Sequence, residues 1–205
     1  MKNLLLHLDF SNSSSPAKIY RLSFFLFLVL LNYNLINLFS QTKKEHKKME
    51  IKIHSSSFKS GEFIPAKYTC EGGNISPQLH WTETTNGIKS FAIILSDPDA
   101  PGGDFVHWII YNIPANLKEL HEDVTPSRNI PDEVMVGTNS FGHVAYGGPC
   151  PPPGKPHRYI FKIYGLDTIL HHHLESGPTK NQLLKAMEGH ILAEGELMGK
   201  YERRK

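Results

Sequence analysis

Cysteine is scarce in this chain: 205 residues hold only Cys70 and Cys150. Two cysteines exclude a zinc cluster of paired CxxC motifs and a disulfide-dense scaffold. They leave a single bridge if the protein is exported to an oxidising compartment, and two free thiols in the cytosol. Net charge is also small, with 22 Lys and Arg against 20 Asp and Glu, but it is unevenly placed. Residues 1–48 carry seven basic residues against two acids, or +5, and residues 49–205 carry fifteen against eighteen, or −3. The body has no dense basic stripe with interleaved aromatics, which argues against nucleic acid as a partner.

Long apolar runs are missing too. The run from Leu22 to Leu31 gives way to a mixed stretch ending at Phe39 and holding Asn32, Asn34 and Asn37. A membrane-spanning helix wants roughly twenty mostly apolar residues. The length suits a secretory signal better, yet no Ala-x-Ala cleavage site follows. The alternative is that translation starts at Met49. We therefore expect an N-terminal extension over 1–48 and a folded domain over 49–205. The domain is cytoplasmic if Met49 is the start, and exported or membrane-anchored through residues 22–39 if the extension is genuine.

What the body does have is short apolar runs between Gly, Pro, Asn and Asp: Ile51 to Ile53, Phe63 to Tyr68, Leu79 to Trp81, Phe91 to Leu95, Phe105 to Ile113 and Tyr159 to Leu166. This spacing predicts a mainly β sandwich or barrel. Thr179 to Gly189 reads as one short helix, with Leu183, Leu184 and Met187 on a stripe. The partial alternation from Ile191 onward predicts a closing strand. Trp81, Trp108 and Phe161 read as core.

Two stretches concentrate reactive side chains: SDPDAPGGDFVHW from Ser96 and YGGPCPPPGKPHRYIFKIYGL from Tyr146. Their prolines fix φ and restrict the residues before them, so polar groups are held at set angles. Alternation places His157 and Tyr159 on one face and Arg158 on the other, where an ion pair is expected. The same rule gives His107 the neighbours Phe105, Ile109 and Tyr111. Asp99, between two prolines, reads as a turn former. Neither HxH nor HExxH spacing fixes Asp97, His107 and His157 as metal ligands. Cys150 between prolines reads as pocket wall rather than as the nucleophile of a thiol dyad, and no serine lies in a GxSxG elbow. His171, His172 and His173 read as an exposed loop with adventitious metal affinity.

DPDAP followed by VHW, then YGGPCPPPGKPHRY, with YTCEGGNISPQLHW before and GHILAEGELMGKYER after, resembles the phosphatidylethanolamine-binding protein family. The likeness runs from about Ile51 to Glu202 and is nearest to the compact bacterial members called Raf kinase inhibitor-like proteins. It implies an antiparallel Greek-key β-sandwich with one or two small helices and a small anion-binding cavity at one end. Carried over by position, Asp97, His107, His157 and Tyr159 line that cavity, with Ala100, Pro101, Cys150 and Pro151 in its wall. The chain stops soon after Tyr201, without the longer C-terminal helix of eukaryotic members, so kinase inhibition does not transfer with the likeness.

The expected function is a non-enzymatic binding module for a small phosphorylated or carboxylate ligand, with no cofactor and no metal, that also regulates a protein partner. The alternatives are an inhibitor-type protein acting on a kinase or protease, and a phosphate-ester hydrolase or lyase. Since Asp97 repels an anion unless an imidazole is protonated, affinity is expected to rise as pH falls toward about 6.

Overall fold

The computed structural model describes residues 49–125, 130–170 and 177–203, together with residue 30. The expectations for residues 1–48, including the apolar stretch 22–39, and for His171, His172 and His173 lie outside the described residues. Residues 48–205 form a compact unit. Its strands are β1 (Met49–His54), β2 (Leu79–Glu83), β3 (Ser90–Asp97), β4 (Phe105–Pro114), β5 (Glu119–Leu120), β6 (Met135–Val136), β7 (His157–Leu166) and β8 (Ile191–Tyr201). One α-helix, α1 (Lys180–Met187), and a 3₁₀ turn at Ala66–Tyr68 complete the elements.

The mainly β class with a small helix holds. The expected antiparallel pairing holds for every strand pair but β1–β8, while a Greek-key sandwich is not clearly formed: the strands run as one curled sheet of eight in the order β5-β2-β1-β8-β7-β3-β4-β6. The curl has a local cause in β1, which changes partners along its length. Met49 and Glu50 pair in parallel with Ala193 and Glu194 of β8, whereas Ile51 to His54 pair antiparallel with β2. At the crossover a Cβ on Gly195 would lie 1.8 Å from the Ile51 carbonyl oxygen. Only glycine admits β1 this close.

Both faces of the sheet centre are covered. All eight residues of β3 are buried, as a strand needs when apolar layers lie above and below it. On one face Ile51, Leu79 and Trp81 meet Phe91, Trp108 and Phe161. On the other, Ile94, Ile109 and Leu166 pack with Leu183 and Met187 of α1. The helix begins with a reciprocal capping box between Thr179 and Gln182, which satisfies two otherwise free amides. Leu183 and Met187, four residues apart, then share its buried face.

The run Phe63 to Tyr68 is not a strand. Pro65 has no amide to donate to a ladder, so pairing stops at an isolated bridge between Phe63 and Lys200 and the chain turns into the 3₁₀ segment. The closing strand read from Ile191 onward forms as β8, paired with β7 over nearly its whole length. Gly195→Ala is expected to lower unfolding free energy in urea by about 3 kcal/mol through overpacking at the crossover. Wild-type stability in this variant would contradict the close approach.

Candidate functional site

Sheet order places β7, β3 and β4 side by side, and the end of β3 carries Asp97 between the other two. Asp97 pairs with Phe105 of β4, and its Oδ2 accepts a hydrogen bond of 2.8 Å from Nδ1 of His157, the first residue of β7. The other carboxylate oxygen accepts from the Asp99 amide at 2.8 Å. Both oxygens are thus occupied, and the side chains of Asp97 and His157 are only 4% and 6% exposed. Because a carboxylate only accepts, the proton must sit on Nδ1 of His157, which leaves Nε2 facing away from Asp97.

His107 reaches the site through a β-bulge. Leu95 pairs with Trp108 but Ser96 pairs with Val106, so β4 holds one extra residue, His107. A bulge re-aims the side chain it inserts. Ile109, Tyr111 and Val106 pack under α1, whereas Trp108 packs in the opposite layer. His107 is turned away from Ile109 and Tyr111, contrary to strict alternation. Its ring keeps the expected neighbour Phe105, at 5.2 Å, and otherwise lies 5.6 Å from Phe141 and 5.2 Å from Tyr159, centroid to centroid.

Two consecutive carbonyls fix that ring: Nδ1 donates to Gly147 at 2.7 Å and Gly148 at 3.1 Å. Burial holds the His107 pKa below the ordinary histidine value, against the smaller opposing effects of these carbonyls and Asp97. The ring is therefore neutral near pH 7, and its Nε2 carries a lone pair. Gly148 must be glycine here, since a Cβ would lie 2.4 Å from the Tyr68 carbonyl oxygen.

Tyr159 completes the cluster. It is fully buried, and its hydroxyl has no partner at full hydrogen-bond geometry, although the Asp97 carboxylate and the Cys150 amide both interact with it short of that geometry. Burial first, and then Asp97, push its pKa far above the usual tyrosine range, so the group is an O–H donor at any physiological pH. Other buried polar atoms among the described residues share this state, Trp81 Nε1 and Trp108 Nε1 among them, but Tyr159 differs in lying against the His107 ring.

The remaining expected residues fall differently. Cys150 is joined to Cys70 in a disulfide with Cα atoms 5.4 Å apart, so it has no thiol for a dyad with His157. Pro151 is buried beside it, whereas Ala100 is half-buried and Pro101 exposed. No bond or ring contact among the described residues ties Ala100 or Pro101 to the histidines. Asp99 does more than form a turn. It takes a two-pronged contact from Arg158, at 2.9 Å from Nε and 2.7 Å from the terminal nitrogen, and also accepts from the Arg158 amide. These bonds hold its carboxyl well below the usual range. The Arg158 ion pair is as expected, but it is Asp97 whose side chain closes the turn. Gly147, Gly148 and Phe141 were not foreseen as site residues; the adjacent glycines of YGGPC were the one available signal. Among the described residues no three His, Cys, Asp or Glu side chains converge to hold a metal.

Comparison with known proteins agrees with this frame. The profile of the family described as Phosphatidylethanolamine-binding protein matches residues 54–202. A UPF0098 protein of Pyrococcus horikoshii is 48% identical over 160 residues, covering 77% of this chain and 79% of the relative. One from Methanothermobacter thermautotrophicus is 46% identical over 155 residues, covering 76% and 99%. Among solved structures, a putative phosphatidylethanolamine-binding protein homolog of Chlamydia trachomatis superposes with a TM-score of 0.69 at 40% identity. E. coli YbcL does so with 0.70 at 35%. Each covers 76% of this chain and 99% of its own.

The buried neutral His107 makes stability depend on pH. Its folded pKa lies below the unfolded value of about 6.5, so its contribution is complete above that pH and is lost as pH falls toward the folded pKa. Between pH 7 and 5 the stability of the wild type should fall more steeply than that of His107→Asn, by up to about 1.4 kcal/mol per pH unit. Parallel profiles in urea titrations would contradict a buried neutral ring.

Proposed function

This chain belongs to the phosphatidylethanolamine-binding protein family, and from that premise we propose that the Asp97 site binds a small phosphorylated anion without chemically changing it. The observation that supports the reading is the Tyr159 hydroxyl, a buried donor that no acceptor meets at full hydrogen-bond geometry, Asp97 included. A phosphate or carboxylate oxygen supplies that acceptor. Beside it stand Nε2 of His157 and Nε2 of His107, each left unbonded when Nδ1 is held by Asp97 or by the glycine carbonyls.

The protonation pattern narrows the ligand. Tyr159 donates, whereas the neutral His107 presents a lone pair, so the site offers a donor and an acceptor together. A phosphate monoester carrying one proton matches both, giving oxygen to Tyr159 and O–H to His107. Its second ionisation lies near pH 6, so the matching form grows as pH falls from neutral. The acid-side rise in affinity thus has a source in the ligand's own proton, without a charge on His107. The Cys150 sulfur is committed to Cys70, which favours binding over a thiol nucleophile.

Tyr159→Phe separates the ligand role from a structural one. The substitution removes a buried hydroxyl that has no partner at full hydrogen-bond geometry, so stability in urea should stay within about 1 kcal/mol of the wild type. Calorimetric titration with phosphoethanolamine at pH 6 should meanwhile show about tenfold weaker binding, the loss of one good hydrogen bond. Unchanged affinity in the variant, or no heat from the wild type at millimolar ligand, would refute the proposal.

A further inference from the structure

Four successive links join residues 146–150 to one short stretch, residues 68–74. The Tyr146 hydroxyl donates to the Tyr68 carbonyl at 2.7 Å, the Gly148 amide to Asn74 Oδ1 at 2.7 Å, and the Cys70 amide to the Pro149 carbonyl at 3.1 Å. The fourth link is the Cys70–Cys150 disulfide, which closes 80 residues of sequence. On its other side the same segment reaches the site, through the Gly147 and Gly148 carbonyls on His107 and the Cys150 backbone beside Tyr159.

The covalent link is distinctive because prolines flank it. Pro149, Pro151, Pro152 and Pro153 have no amide hydrogen, so Cys150 holds the one backbone donor between 149 and 153. Such a segment can be held through its backbone only by its carbonyls, as at Pro149, and by the single Cys150 amide. Its three hydrogen-bonded ties to the 68–74 stretch stop at Pro149, and the bridge is what joins residue 150 to that stretch; the Cys150 amide itself faces Tyr159. The Cys70 end is exposed, on a loop with Glu71, Gly72 and Gly73 also in solvent, so a reductant can reach it.

We propose that the Cys70–Cys150 disulfide is a redox switch on the anion site, tightening it when oxidised and loosening it when reduced. The proposal rests on the anion-binding reading above. Reduction by a dithiol breaks the S–S bond and forms two S–H bonds. The dithiol supplies both electrons and both protons and leaves as a cyclic disulfide. Residues 150–153 are then released from the 68–74 loop, and the Cys150 backbone withdraws from Tyr159. Residues 146–149 keep their three hydrogen bonds, so the fold and the His107 tautomer persist while the Tyr159 side of the site opens.

The test uses the full chain, oxidised or treated with dithiothreitol, with a thiol count moving from zero to two as the control. Phosphoethanolamine titration should show about tenfold weaker binding after reduction, and reoxidation should restore it. Cys70→Ser should bind like the reduced protein whatever the redox condition. Tyr159→Phe should bind equally weakly in both states, since the hydroxyl that the bridge serves is gone. The Nδ1 proton resonance of His107 should survive reduction. Equal wild-type affinity in both states overturns the switch and leaves anion binding standing. Loss of the His107 resonance and of folded circular dichroism on reduction also overturns it, because the bridge is then a general staple. An oxidised protein that binds no phosphoethanolamine refutes the underlying site reading and the switch with it.

Discussion

The hydrogen bonds of the Asp97 carboxylate organise this site. One oxygen fixes His157 on the neighbouring strand and the other closes the turn that leads to Asp99. That turn lets Asp99 grip both the side chain and the amide of Arg158. β3 and β7 are thereby clamped together at their ends by two carboxylates two residues apart, one buried and one at the surface. The clamp works because β3 is covered on both faces along its whole length, which leaves its last residue little freedom.

The site that results relies on few permanent charges. Its one buried carboxylate has both oxygens engaged, His107 is held neutral by burial, and Tyr159 keeps its proton. Under the proposed reading, such a set would discriminate by placing donors and acceptors rather than by net attraction. A buried hydroxyl without a well-placed acceptor costs stability, and the proposed anion would remove that cost. A bulge, two glycine carbonyls and a proline-rich strap bring this about, none of which belongs to the regular part of the sheet.

Much of this was legible in the sequence. Period-two alternation placed His157 and Tyr159 together and Arg158 opposite, because β7 is regular where it carries them. The helix was marked by its Leu183 and Met187 spacing, and β8 by its alternation. What escaped depended on partners remote in sequence. The extra residue at His107 exists only relative to Leu95 and Ser96 of β3, so local alternation found Phe105 but wrongly added Ile109 and Tyr111. Asp97 holds an imidazole and also takes the turn-closing bond expected of Asp99, which pairs with Arg158, because both carboxylates fit a turn and only the position of Arg158 decides between them. Phe63 to Tyr68 looked like a strand by composition, but Pro65 ended its pairing. The parallel start of β1 against β8, which curls the sheet, has no signature in either strand beyond Gly195.

The most direct measurement is a crystal structure of the oxidised protein with phosphoethanolamine bound. The account predicts a phosphate oxygen about 2.7 Å from Tyr159 Oη, a second oxygen at His107 Nε2, and an unmoved Asp97–His157 pair. Phosphate seated elsewhere, or a Tyr159 hydroxyl that has turned to bond Asp97 and ignores the ligand, would contradict it.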